Sequence, residues 1–152
     1  MNGRDLLINL EEECFKGRNF NKIKDNYRII QESLLDFNVA NYFFQTSIKS
    51  KSSQGKNFSV GEKTFEICFL NSQFIHDITV TPESIAHSIF DISSINKLVI
   101  KTDSVNGKCD FNIYGNSDGT ILFYSFDQSR FEEINIFKNE MLKIIIARSI
   151  TT

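Results

Sequence analysis

Apolar residues recur at helical spacing near both ends of the chain and alternate with polar residues between them. Leu6, Leu7, Leu10 and Cys14 share one face, and Glu11, Glu12 and Glu13 line another, which predicts a short helix over residues 4–16 stopped by Gly17. From Asn21 a second helical pattern follows. Ile23, Tyr27, Ile30, Leu34 and Phe37 are spaced four, three, four and three, a heptad seam. The seam could run on through Asn41, Phe44 and Ile48. Residues 39–48, however, are rich in aromatic and β-branched side chains that suit a pleated surface. The sequence therefore predicts a helix ending near Phe37 and a strand from Val39 to Ile48.

The middle of the chain is β-patterned. Residues 63–70 set Phe65, Ile67 and Phe69 against Glu66 and Cys68. Residues 73–80 set Phe74, His76, Ile78 and Val80 against Ile75, Asp77 and Thr79. Residues 81–92 read two ways. Thr81-Pro82-Glu83 has the cap and N1 proline of a helix start, yet Ser84 to Phe90 also suits a strand after a turn. Strands are predicted over 95–102, 109–115 and 120–126. Asn106-Gly107 and Asn116-Ser117-Asp118-Gly119 give the connecting hairpin loops. At the end, Ser129 and Glu132 fit a capping box, and Phe131, Ile134, Phe137, Met141 and Ile145 form one apolar stripe of a helix.

Composition narrows the function. With 152 residues and 41% apolar content the chain can bury a core without staples. The formal net charge of −2 is spread without a basic stripe, so no nucleic-acid partner is expected. No stretch is long and apolar enough for a membrane span, and the start turns acidic at once, unlike a signal peptide. Cys14, Cys68 and Cys109 are far apart and odd in number, with no metal spacing. Reduced thiols and a cytoplasmic location are expected, with no cofactor.

The order of elements resembles a pleckstrin-homology-like (PH-like) domain of the bacterial or GRAM type. The resemblance is carried by Ile78-Thr79-Val80-Thr81, by the run Ser84 to Ile95, and by the later hairpins followed by the segment Phe126 to Ile146. It covers about residues 39–148 and rests on element order. It implies an α+β fold with antiparallel sheets of about five to seven strands, two bent sheets plugged by a C-terminal amphipathic capping helix. Residues 1–38 would then be an added helical arm and 39–148 the PH-like domain. If Thr81-Pro82 starts a helix, the order instead resembles small chaperone-like or immunity-protein α+β folds.

Few residues invite chemistry. His76 falls on an apolar face, which favours a buried structural histidine; Asp77 points the other way. His87 reads as surface or packing. Cys68 and His76 could approach across a hairpin, but their faces do not obviously meet. Lys49, Lys51 and Lys56 form a basic cluster in a low-complexity loop over 49–57. The resemblance implies that a basic loop after the first strand can hold phosphorylated lipid headgroups at a membrane surface. The seam residues Ile23, Tyr27, Ile30 and Leu34 either pack on their own sheet or bind a protein partner or a second copy. The expectation is a non-enzymatic interaction or adaptor module, with headgroup or small-ligand binding as the alternative.

Overall fold

The computed structural model describes residues 1–14, 21–34, 37–52, 59–115 and 119–150. The fold is α+β. Two helices, α1 (Gly3–Cys14) and α2 (Asn21–Ser33), precede seven strands, β1 (Asn41–Ser52), β2 (Ser59–Leu70), β3 (Phe74–Val80), β4 (Ile85–Asp91), β5 (Ile95–Asp103), β6 (Lys108–Gly115) and β7 (Thr120–Asp127), and a final helix α3 (Phe131–Ile150). Two sheets form, with strand orders β1-β2-β3-β4 and β5-β6-β7. Gly17 and residues 116–118 of the second expected hairpin loop lie outside the described residues, as do positions 35 and 36 at the expected end of α2.

The chain divides into two compact units, residues 1–71 with 76–89, and residues 72–75 with 90–152. The N-terminal helices share a unit with β1 and β2.

In the first unit, one face of the helix pair meets one face of the sheet. Leu6, Leu7 and Leu10 from α1 and Ile23, Tyr27, Ile30 and Leu34 from α2 form a core with Phe65, Ile67 and Phe69 of β2 and Ile78 and Val80 of β3. The helical period supplies one wall and strand alternation the other. Tyr27 is wholly buried, so its hydroxyl needs a partner; it donates to the Leu7 carbonyl, while its ring meets Phe65 edge-on at 5.1 Å. The two helices are closed at their outer ends: Gly3 N–H donates to Phe37 O at 2.6 Å and Val39 N–H to Met1 O at 2.9 Å. Gly3 has no room for a side chain, since a Cβ would stand 3.0 Å from both Cβ and the carbonyl oxygen of Leu34. Gly3→Ala is expected to cost about 1–3 kcal/mol by overpacking, read as a lowered urea midpoint. An unchanged midpoint would show that the helices part without cost.

The strand expected over 39–48 is β1, and it runs further than composition suggests. Residues 49–52 were expected in a loop but lie in the strand, paired antiparallel with β2 through Ser52 opposite Ser59. Backbone pairing overrides the polar, serine-rich composition here. Residues 53–58 lie outside the described residues. The ambiguous stretch resolves as a turn and a strand. Thr81 N–H donates to Ser84 O at 2.9 Å, Ser84 N–H to Thr81 Oγ1 at 3.0 Å, and β4 follows.

In the second unit, β6 lies between β5 and β7, with Val99 opposite Asn112 and Asn112 opposite Phe123. The Asn106-Gly107 signal is borne out: Gly107 adopts φ 70°, a left-handed conformation suited to glycine, and its N–H donates to Asp103 O at 2.9 Å. Asp127, two residues before the expected Ser129–Glu132 box, supplies the cap, its carboxylate accepting from Ser129 N–H at 3.0 Å. The Ser129 bonds hold that carboxyl below the usual range. Of the expected α3 stripe, Ile134, Phe137 and Met141 are fully buried and Phe137 meets Phe111 edge-on at 6.2 Å. Ile145 is half-buried, and Phe131 is 37% exposed because it opens the helix.

Candidate functional site

Among the described residues, a histidine pair in the first unit brings two titratable side chains together in unusual surroundings. His76 comes from β3 and His87 from β4, on either side of the Thr81–Ser84 turn. His76 Nδ1 stands 3.0 Å from His87 Nε2, and Asn71 Nδ2 stands 3.2 Å from His76 Nε2. Phe69 stacks on the His76 ring with centroids 4.3 Å apart and planes 7° apart. Phe37 meets His76 edge-on at 4.7 Å and His87 at 6.2 Å.

The contact between the two rings needs one nitrogen to donate and the other to accept, which two neutral imidazoles supply. Burial, and then the neighbouring His87, push the His76 pKa down to about 4; burial also lowers that of His87. The pair is thus built to stay uncharged and to hold β3, β4 and the Phe37 connection together.

The structure places the sequence candidates as follows. His76 is fully buried, as its apolar register implied, and His87 is half-buried in packing. Cys68 is buried, and the His76 ring nitrogens lie within hydrogen-bond distance of Asn71 and His87. Burial, and then Asp110, push the Cys109 thiol up, toward the unreactive protonated form. Lys49 and Lys51 lie two apart on β1, in register with Glu62 and Val60 respectively; Lys56 lies outside the described residues. Among the described residues no three His, Cys, Asp or Glu side chains are grouped to hold a metal ion, and no helix is long and apolar enough to cross a membrane.

The seam offered as a partner surface is enclosed. Ile23, Tyr27, Ile30 and Leu34 are 5% exposed or less, all packed in the first unit's core. What α1 and α2 leave outside is Ile8 and Ile29, near the surface ion pairs Arg4–Glu32 and Arg28–Glu11. Among the described residues of α3, the large apolar side chains of Phe131, Ile136, Leu142 and Ile146 face solvent. Sequence reading found the buried stripe of this helix and missed the exposed one beside it. It also missed the His76–His87 contact, although a turn at 81–84 would have suggested it.

No protein-family model, curated protein or solved structure gives a significant match to this chain.

Proposed function

We propose that this chain is a non-enzymatic protein-interaction module of PH-like build. The observation that carries the reading is the surface of α3. Its core-facing stripe is already satisfied by burial, yet Ile136 and Ile146 remain 57% and 56% exposed. Exposed large aliphatic residues gathered on one helix mark a surface that gains by being covered. The order of four antiparallel strands, then three, then a helix supports the PH-like part of the reading. The neutral, enclosed histidine pair supports a structural rather than a catalytic use of the two imidazoles. Self-association through the N-terminal helices has Ile8 and Ile29 to work with rather than the seam.

A photo-crosslinking residue placed singly at Ile146, Ile29 and, as a control, Lys101 tests the reading in cells. Protein adducts are expected at Ile146 or Ile29 well above Lys101. Adducts no more frequent at the two apolar positions than at the control would sink it. Lipid adducts at Lys49 or Lys51 variants, with none of protein, would favour the headgroup alternative.

A further inference from the structure

We infer that the exposed side of α3 pairs antiparallel with α3 of a second copy of this chain, a proposal that rests on the interaction reading and names its partner. Beside the buried stripe, Phe131, Asn135, Asn139, Leu142 and Ile146 recur at spacings of four, four, three and four, so they line one face. Phe131 and Leu142 are each 37% exposed and Ile146 is 56% exposed. No charged residue stands in the seam.

The seam is self-matching under a two-fold axis. With the axis between Lys138 and Asn139, Phe131 falls opposite the second copy's Ile146, and Asn135 opposite the second copy's Leu142. Each match occurs twice, as an isologous interface requires. The same rotation brings Glu132, at the start of α3, to within two residues (about 3 Å along the helix) of the second copy's Lys143 near its end, again twice. Lys143 is held only by a surface pair with Glu140 at 2.9 Å, its side chain 73% exposed, and can exchange that partner cheaply. Asn139 lies next to the axis, where the two amides can bond to each other. A polar residue at one seam position fixes register at some cost in stability. In an antiparallel pair each flank of the seam faces the same flank of the second copy, so Glu132 and Lys143, which share a flank, can meet. The seam spans about 22 Å of helix, which suits a weak, concentration-dependent dimer.

Sedimentation of the full chain between about 1 and 500 μM tests the pairing, with circular dichroism to show that each variant folds. A monomer–dimer equilibrium is expected. Leu142→Lys with Ile146→Lys should weaken it at least tenfold. Glu132→Lys alone and Lys143→Glu alone should each weaken it, and the two together should restore it, because the swapped charges again match. A chain that stays monomeric to the highest concentration overturns the proposal, and so does a dimer indifferent to these changes or not restored by the swap. A monomer that still gives protein adducts at Ile146 would leave the interaction reading standing while removing the self-pairing.

Discussion

Phe65→Ala is expected to lower the unfolding free energy by about 3–5 kcal/mol. Phe65 is fully buried at the centre of the first unit's core, with Tyr27 edge-on at 5.1 Å and Phe44 at 6.2 Å. Truncation removes the contacts of a whole ring and leaves a cavity that the helix pair and sheet, each held by its own hydrogen bonds, cannot readily close. Against a typical net stability of about 5–15 kcal/mol, the change removes a large share. Phe123→Ala is the control. Phe123 is 56% exposed on β7, and its loss should cost about 0.5 kcal/mol or less. Urea unfolding followed by circular dichroism reads both. Similar midpoints for the two variants would mean that the core described for α1, α2, β2 and β3 does not hold the unit together.

The second large effect is on pH. His76 is neutral when folded, with a pKa of about 4 against an unfolded value near 6.5, and His87 is shifted in the same direction. Above pH 6.5 neither state of the chain takes up a proton at these rings, and the contribution of the pair is fully present. Between 6.5 and about 4 the unfolded chain binds protons that the folded chain refuses. Stability therefore falls as pH falls, with a limiting slope of about 1.4 kcal/mol per pH unit for each ring, and levels off below the folded pKa. Unfolding midpoints at pH 7.5, 6.5 and 5.5 should drop between the last two. His76→Gln with His87→Gln should flatten that drop, since nothing is left to titrate. Wild-type midpoints that stay level from pH 7.5 to 5.5 would show that the pair tolerates charge.

The histidine pair also shows where sequence reading ran out. Its two halves were visible separately: His76 shares a face with Ile78 and Val80, which marks it as buried. Joining it to His87 required knowing that 81–84 is a turn. Thr81-Pro82-Glu83 hid this, because the Thr81 hydroxyl accepts from Glu83 N–H at 3.3 Å and Ser84 N–H at 3.0 Å, the same local bonds a helix cap makes. What decides is downstream, where Ile85, Ile89 and Phe90 pair better in a sheet than they coil. Periodicity was a reliable guide wherever one face was buried and the other wetter, as in α2 and β6. It was less informative for α3, where exposed apolar residues widen the stripe and a single-face reading stops too soon. The lysines failed differently. Nothing local in Lys49-Ser50-Lys51-Ser52 favours a strand; its pairing with residues 59–62 does. Long-range backbone partners leave no trace in local composition.

The enclosure of the α2 seam by β2 and β3 has a bearing on synthesis. The ribosome releases Ile23 to Leu34 well before the strands that shelter them, and Val80 emerges some 46 residues after Leu34. At about 5–20 residues per second the greasy flank of the helix stays wet for roughly 2–9 s. Nascent chains paused near residue 50 plus the exit-tunnel length should therefore recruit chaperone holdases, and chains paused beyond residue 90 plus that length should have let them go.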